Sequence, residues 1–114
     1  MSWTPLHLHT HYSLLDGLSK PEQVADRCEK LGYTSCAITD HGNISGAVAF
    51  VQAMKNKNIK PILGCEFYLC EQSPSVQTAE NRDLSHLCVI SKNKTGWDNL
   101  VKAVSRSNDE DCFY

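Results

Sequence analysis

Three of the five histidines in this 114-residue chain lie at alternating positions in one stretch, PLHLHTHYSLLDG, residues 5–17. His7 and His9 are two residues apart, so an extended backbone places both imidazoles on the same face. Asp16 follows a few residues later. Imidazole and carboxylate groups together suit divalent metals such as zinc, manganese or iron. His11 continues the alternation, but it lies close to the turn before Asp16, and we expect it to be a surface residue that binds no metal.

Three further side chains of the same chemistry are distributed along the rest of the chain. His41 comes shortly after the apolar run SCAIT (35–39), Glu66 lies inside an apolar segment, and His86 begins another. A buried carboxylate without partners is costly, which favours a functional role for Glu66. The candidate metal ligands are therefore His7, His9, Asp16, His41, Glu66 and His86.

Each candidate also has an ordinary structural interpretation when it is taken alone. The first two histidines could be exposed by alternation on an edge strand, and the dipeptide Asp16-Gly17 is a common turn. Asp40 could simply cap the segment that follows it, and a lone histidine such as His86 is usually a hydrogen-bonded structural residue. The joint placement of six such residues is what favours a site.

The size of the ligand set indicates more than one metal ion. Six ligands exceed what a single tetrahedral ion needs. Sites with two or more metals and mixed histidine and carboxylate ligands typically hydrolyse phosphate esters, because one ion activates a water while another stabilises the leaving oxygen. We therefore expect a metal-bound water to be the nucleophile, and we assign no side chain as a catalytic residue.

The chain alternates between short apolar runs and stretches with helical periodicity. Strands that alternate with helices of ~10–15 residues are typical of α/β proteins with a mostly parallel sheet. We expect about four βα units, with a polar loop over 71–83 in place of the third helix. Ser19 and Glu22 have the spacing of a capping box at a helix start. The predicted strands are 5–9, 35–39, 60–70 and 86–91, and the predicted helices run from Ser19 to Gly32, onward from about Ser45, and from about Lys94 to Ser105.

This arrangement brings the candidate ligands toward one edge of the sheet. In α/β folds, ligands bind at the carboxyl ends of the strands. His41 directly follows a predicted strand, and Asp16 lies in the loop after the first one. His86 stands at the start of the fourth predicted strand and fits this placement less neatly.

Composition limits the classes of function. The net charge of -2 argues against a nucleic-acid binder held by a basic surface. No apolar run approaches the ~20 residues of a membrane span, and the N-terminus lacks the pattern of a secretory signal. The six cysteines form neither a disulfide framework nor a CxxC pair. We expect Cys28, Cys36 and Cys88 to be buried core thiols, and we place the protein in a reducing cytoplasm.

Three stretches of the sequence resemble the N-terminal PHP (polymerase and histidinol phosphatase) domain of the bacterial or phage DNA polymerase III alpha subunit. They are LHLHTHYSLLDGLSKPEQ, AITDHGNISGAVAFVQAMKNKNIKPILGCEFYL and HLCVISKNKTGWDNLVKAVSRS, and they cover nearly the whole chain in the family's order. The motifs SLLDG, TDHGN-x-x-GAV and IKPI-x-G-x-E are far more specific than a count of histidines. Within the wider superfamily, LLDG and KTGWDNL look specifically polymerase-like.

The resemblance implies a distorted seven-stranded βα barrel with two or three divalent metal ions at one end. It implies a metal-dependent phosphoesterase, acting as a 3′–5′ exonuclease that proofreads for the polymerase. The implied partners are DNA 3′ ends and the remainder of the alpha subunit, with no membrane. The family's metal-ligand positions fall on His7, His9, Asp16, His41, Glu66 and His86.

The family's later ligands, a cysteine and an Asp-x-His pair, have no match in this chain, and Cys112 does not sit in the matching context. We therefore expect residues 1–114 to be the N-terminal part of a single PHP domain, a partial barrel with incomplete metal binding in isolation. Two alternatives stay open. One is a catalytically inactive PHP scaffold that supports the polymerase, and the other is a free-standing phosphoesterase of the histidinol phosphatase type.

Overall fold

A computed structural model describes residues 3–76, 78–79, 84–109 and 112. Part of the predicted loop over 71–83 lies outside these residues, at 77 and 80–83. The described residues form an α/β fold, which confirms the predicted class at that level. Its elements are α1 (Pro21–Leu31), β1 (Ser35–Ile38), α2 (Ala47–Asn56), β2 (Lys60–Leu69), β3 (Ser85–Ile90) and α3 (Lys94–Ser107).

The three strands form one mixed sheet in the order β1-β2-β3. β1 pairs with β2 in parallel, whereas β2 pairs with β3 antiparallel. The order of helices and strands follows the predicted units, with no helix described between β2 and β3, but the sheet is mixed, so the prediction of a mostly parallel sheet is wrong for the described strands. The physical reason is the connection: a parallel neighbour needs a crossover, usually a helix, and no helix forms among the described residues between β2 and β3. A sheet of three strands does not test the seven-stranded barrel.

The segment 5–9, predicted as the first strand, is not assigned as a strand. It runs beside β1, where the Ala37 N–H donates to the Pro5 carbonyl at 2.8 Å and the Thr39 N–H donates to the Leu8 carbonyl at 2.9 Å. The Leu8 N–H donates to the Thr39 hydroxyl oxygen at 2.9 Å. A side chain thus takes the place of a backbone partner, so the regular ladder is interrupted. The segment is nevertheless fixed against the sheet.

Helix α1 begins one residue later than the predicted capping box requires. Its N-cap is Lys20, whose backbone N–H donates to the Gln23 side-chain oxygen at 2.9 Å. Pro21 occupies the first helical position, where its missing N–H costs nothing. Gly32 ends the helix in the left-handed conformation at φ 71°, as predicted.

The hydrophobic core lies between the first two helices and the sheet. Helices α1 and α2 pack on each other, and α2 packs on β2. Burial raises the pKa of the Cys36 thiol to about 12, so this thiol stays protonated in the core. The core residues are Val24, Ala25, Cys28, Cys36, Ile38, Phe50, Ala53, Met54 and Ile59.

All six cysteines are free thiols, as the sequence predicted. Cys28 and Cys36 are buried, but Cys88 is exposed, so the prediction of a core position for Cys88 is wrong. Cys88 lies on β3, most of whose residues are exposed, unlike the core-facing residues of β1.

Helix α3 begins after Asn93, whose side-chain oxygen accepts a hydrogen bond from the Gly96 N–H at 2.9 Å. Of the apolar face predicted for this helix, Leu100 is buried and Trp97 is partly exposed. No helix in the described part of the chain has the length and apolar character needed for a membrane crossing.

Candidate metal centre

The first group of candidate ligands surrounds the Glu66 carboxylate. Its Oε2 atom lies 2.6 Å from His7 Nε2 and 2.5 Å from His9 Nε2, and the two imidazole nitrogens are 3.1 Å apart. The Glu66 side chain is 5% exposed, whereas the His7 side chain is 59% exposed. The buried Glu66 carboxylate thus has two imidazoles on one oxygen atom, and one of these imidazoles, that of His7, is exposed to solvent.

The second group is built around Asp16. Its Oδ2 atom lies 2.6 Å from His9 Nδ1 and 2.9 Å from His41 Nε2. His9 therefore contacts one carboxylate through each ring nitrogen, Glu66 on one side and Asp16 on the other. This double contact joins the first two groups into one cluster.

The third group includes a residue, His86, from the fourth strand predicted from the sequence. His41, Glu66 and His86 each offer a ligand atom within 4.8 Å of the others. The structure therefore brings all six predicted candidates together in three overlapping groups, each of which could hold a metal ion. That these residues bind metal stays a prediction.

The antiparallel pairing of β3 explains the position of His86, which the sequence could not place well. In the β2–β3 ladder, His86 lies directly opposite Tyr68. Since the strands run in opposite directions, the start of β3 lies beside the end of β2. His86 thus reaches the same edge of the sheet as His41, which follows β1.

Backbone hydrogen bonds fix the segment 40–42 against β2. His41 and Glu66 form a parallel β-bridge. The Glu66 N–H donates to the Asp40 carbonyl at 3.0 Å, and the Gly42 N–H donates to the Glu66 carbonyl at 2.9 Å. Two candidate ligands from different strands are therefore held in a fixed register.

Asp40 holds the loop that carries Asp16, a role that the sequence did not reveal. The Asp40 carboxylate is buried and accepts hydrogen bonds from the Thr10 N–H at 2.6 Å, the Thr10 hydroxyl at 2.8 Å and the Ser13 hydroxyl at 2.7 Å. It does not cap α2, whose N-cap is Gly46. The sequence did hold one signal for this role of Asp40: it is a carboxylate directly after an apolar strand. A carboxylate buried there needs hydrogen-bond donors around it.

The Asp16-Gly17 turn also depends on its glycine. A Cβ atom on Gly17 would lie 1.9 Å from the Thr10 carbonyl oxygen. This close approach is possible only without a side chain. The dipeptide Asp16-Gly17 is therefore a turn, and the same turn positions Asp16 as a candidate ligand.

His11 belongs to none of the three groups, and its role as a residue that binds no metal stays a prediction. It is partly rather than fully exposed, and its ring packs on Tyr12 with the centroids 4.4 Å apart. Tyr68 is an aromatic neighbour that the sequence interpretation missed. Its ring is nearly parallel to that of His41 at a centroid distance of 5.8 Å, and it meets the His86 ring edge-on at 4.9 Å.

A cavity of about 330 Å³ lies beside these rings. Gly42 and Tyr68 line the cavity together with residues such as Leu84 and Ser107, and none of the six candidate ligands is among its lining residues. The cavity is therefore continuous with residues that adjoin the candidate ligands.

The electrostatics of the cluster favour charged carboxylates and a protonated imidazole when no metal is present. Burial alone raises the pKa of Glu66, but hydrogen bonds with His9 and His7 outweigh it and lower the pKa. Burial alone lowers the pKa of His9, but its contacts with Glu66 and Asp16 raise the pKa overall. Hydrogen bonds with His9 and His41 lower the pKa of Asp16.

The donor set fits divalent metal ions. Nitrogen and carboxylate oxygen atoms from four segments converge, and a cation bound among them would replace the protons that these contacts share. Four histidines with two carboxylates are a set that suits zinc, manganese or iron. When no metal is bound, a protonated His9 supplies the positive charge that faces the Glu66 and Asp16 carboxylates.

The chain matches one family model and resembles several curated proteins in sequence. A family model described as the PHP domain matches residues 5–114. A DNA polymerase III subunit alpha from Helicobacter pylori is 42% identical over 113 residues, covering 99% of this chain and 9% of the relative. The corresponding subunit from Campylobacter jejuni is 43% identical over 112 residues, covering 98% and 9%. The chain thus spans about a tenth of the length of these curated relatives.

Two solved structures share the fold. A presumed metal-dependent phosphoesterase from Bifidobacterium adolescentis superimposes with a TM-score of 0.62 at 20% identity, covering 89% of this chain and 32% of that one. An amidohydrolase from Chromobacterium violaceum gives a TM-score of 0.60 at 22% identity, covering 91% and 34%. At such low identity these similarities establish the fold alone.

Proposed function

The chain belongs to the PHP domain family, and from this membership we propose that residues 1–114 are the N-terminal part of a metal-dependent phosphoesterase module. The module would be that of a DNA polymerase III alpha subunit, the protein to which the curated relatives belong. The observation that carries the proposal is the convergence of six histidine and carboxylate side chains in three overlapping groups.

We propose that the groups around Glu66 and Asp16 hold the metal ions. Divalent metals bound there would supply a water of lowered pKa and positive charge against a phosphate ester. The chain's own residues do the positioning. Glu66, shared by two groups, fixes their spacing, and Asp40 holds the loop from which Asp16 reaches the cluster.

The cavity beside Tyr68 supports a substrate with an organic group next to its phosphate. Its volume of about 330 Å³ leaves room beside the cluster for the group attached to the ester. We propose the 3′ end of a DNA strand as the substrate, cleaved in a 3′–5′ exonuclease reaction that proofreads for the polymerase. The proposed partners are accordingly DNA 3′ ends and the remainder of the alpha subunit, and the cytoplasmic location stays a prediction.

Metal titration of the chain tests the proposal at its first step. Calorimetric titration with zinc, manganese and ferrous iron would compare the wild type with His9→Ala and His41→Ala. We expect both substitutions to weaken binding by at least about tenfold, because each removes an imidazole that two of the groups share. His11→Ala is the matched control, since His11 belongs to no group, and it should bind as the wild type does.

Unchanged affinity in both His9→Ala and His41→Ala would refute the proposed centre. Once metal binding is established, hydrolysis of single-stranded DNA from its 3′ end should exceed that of histidinol phosphate. Preference for histidinol phosphate would favour the free-standing phosphatase, and metal binding without hydrolysis in the complete polymerase subunit would favour the scaffold.

A further inference from the structure

We infer that the Cys88 thiol is an additional ligand of the metal centre. This inference rests on the proposed function, because it requires that the cluster binds metal. The inference begins with the register of the β2–β3 ladder. Cys88 lies directly opposite Glu66, and His86 lies directly opposite Tyr68. Directly opposed residues in an antiparallel pair project from the same face, as do residues two apart along one strand. Cys88 therefore shares the face that carries Glu66 and His86.

The contact between the thiol and the carboxylate follows from this register. Cys88 Sγ lies 3.8 Å from Glu66 Oε2, the oxygen atom that also faces His7 and His9. Cys88 is exposed as a residue, and its thiol reaches the buried Glu66 carboxylate through a part-buried contact. The pair therefore offers a sulfur and an oxygen donor side by side.

The separation of these two atoms suits donors that share one ion. With Zn–S near 2.3 Å and Zn–O near 2.0–2.2 Å, two ligand atoms of a tetrahedral site are about 3.5 Å apart. Cys88 belongs to none of the three groups of mutually close ligand atoms in the metal-free structure, so its side chain must move from the 3.8 Å contact toward the ion when metal binds. Binding replaces the S–H bond by a sulfur–metal bond, and the thiol proton leaves to solvent.

The other thiols in the described part of the chain lack this placement. Cys65 is adjacent to Glu66 along β2, so the alternation of the strand turns its side chain to the opposite, buried face. Cys70 donates instead to the Gln72 carbonyl at 3.0 Å. A sulfur donor at Cys88 would bias the centre toward zinc or ferrous iron and away from manganese or magnesium.

Cobalt(II) substitution tests the inference directly. Bound cobalt gives visible d–d absorption, and a cobalt–thiolate bond adds a charge-transfer band in the near ultraviolet. We expect both in the wild type, with the near-ultraviolet band lost in Cys88→Ser and kept in the control Cys70→Ser. Zinc affinity should fall at least about tenfold in Cys88→Ser, as the soft donor is lost.

The outcomes separate this inference from the proposed function. Visible cobalt absorption without the near-ultraviolet band, or with a band that survives in Cys88→Ser, would overturn the thiol ligand and leave the metal centre intact. Absence of any cobalt binding would overturn both.

Alkylation gives a second measurement that needs no variant: zinc should slow the reaction of iodoacetamide with Cys88, mapped by mass spectrometry, but not with Cys70. Equal rates at Cys88 with and without bound zinc would contradict the inference.

Discussion

Glu66 shows how a single side chain organises the cluster. Its carboxylate is almost fully buried, a position that would be costly for a charge without partners. His7 and His9 supply those partners on one oxygen atom, and their hydrogen bonds lower the pKa of Glu66 despite its burial. The same convergence that stabilises the anion with protons prepares the position for a cation, because a metal ion can replace the shared protons.

At this scale the pKa shifts predict that metal affinity rises with pH. The pKa of His9 is raised above 6.5, so its proton competes with metal up to that higher value. Zinc affinity should therefore increase from about pH 6 to about pH 8, measured by competition with a chromophoric chelator. In the metal-free protein the stabilisation from protonated His9 runs the opposite way: it is complete below pH 6.5 and is lost as the pH rises through the raised pKa. A zinc affinity that stayed constant over this range would contradict proton competition at His9.

Asp40 provides a second residue-scale prediction. The substitution Asp40→Ala removes the acceptor of three hydrogen bonds from Thr10 and Ser13 and leaves their buried donors unpaired. We expect a loss of about 2–4 kcal/mol in the free energy of unfolding, measured by urea denaturation. Zinc affinity should also fall, because the loop that carries Asp16 loses its anchor.

The matched control for Asp40 is Asp98→Ala. Asp98 forms an ion pair with Lys94 on the exposed side of α3. Its removal should change the free energy of unfolding by no more than about 0.5 kcal/mol. If Asp40→Ala were as mild as Asp98→Ala, the anchoring role of Asp40 would have to be abandoned.

At the scale of elements, the turn over 13–17 is what delivers Asp16 to His9 and His41. Gly17→Ala places a Cβ against the Thr10 carbonyl at 1.9 Å, so the turn must open. We expect a destabilisation of about 2 kcal/mol or more together with weaker zinc binding, measured by thermal denaturation and calorimetry. Gly96→Ala is the control, since its Cβ would meet nothing closer than 3.5 Å, and it should leave both quantities near the wild-type values.

The sequence predicted the helices better than the sheet. The stop at Gly32 and the body of α3 follow from local signals, a left-handed glycine and an apolar stripe, which the structure confirms. The direction of β3 does not follow from local signals, because an apolar run reads the same in either orientation. It depends on the connection after β2, and the polar residues there carried no indication of direction. The boundary error at Ser19 has a local cause: Pro21 takes the first helical position, so Lys20 becomes the N-cap and Gln23 supplies the capping side chain.

Across the whole molecule, the candidate ligands come from parts of the chain that the sheet alone brings together. The motif at 7–9 is fixed beside β1, His41 follows β1, and Glu66 belongs to β2. The identities of these residues were predictable from their chemistry. Their mutual distances were not, because they depend on strand order and register. His86 is the clearest case, since it reaches the cluster only through the antiparallel pairing of β3.

This distribution predicts that metal stabilises the entire fold. The three groups together join four segments that separate on unfolding, so the free energy of metal binding there adds to folding stability. At a free zinc concentration of about 100 times Kd, the gain is about 2.7 kcal/mol. For a chain of this size that corresponds to a rise in Tm on the order of 10 °C, measured by circular dichroism.

The stabilisation should disappear on chelation and in a variant that cannot close the cluster. EDTA should return the Tm to its metal-free value. His41→Ala keeps the fold's core but removes an imidazole shared by two groups, so zinc should raise its Tm much less than that of the wild type. An equal rise in His41→Ala would place the stabilising zinc elsewhere on the molecule. A rise that fails only in His41→Ala, and not in His11→Ala, would tie the stability of the fold to the same residues that are proposed to perform its chemistry.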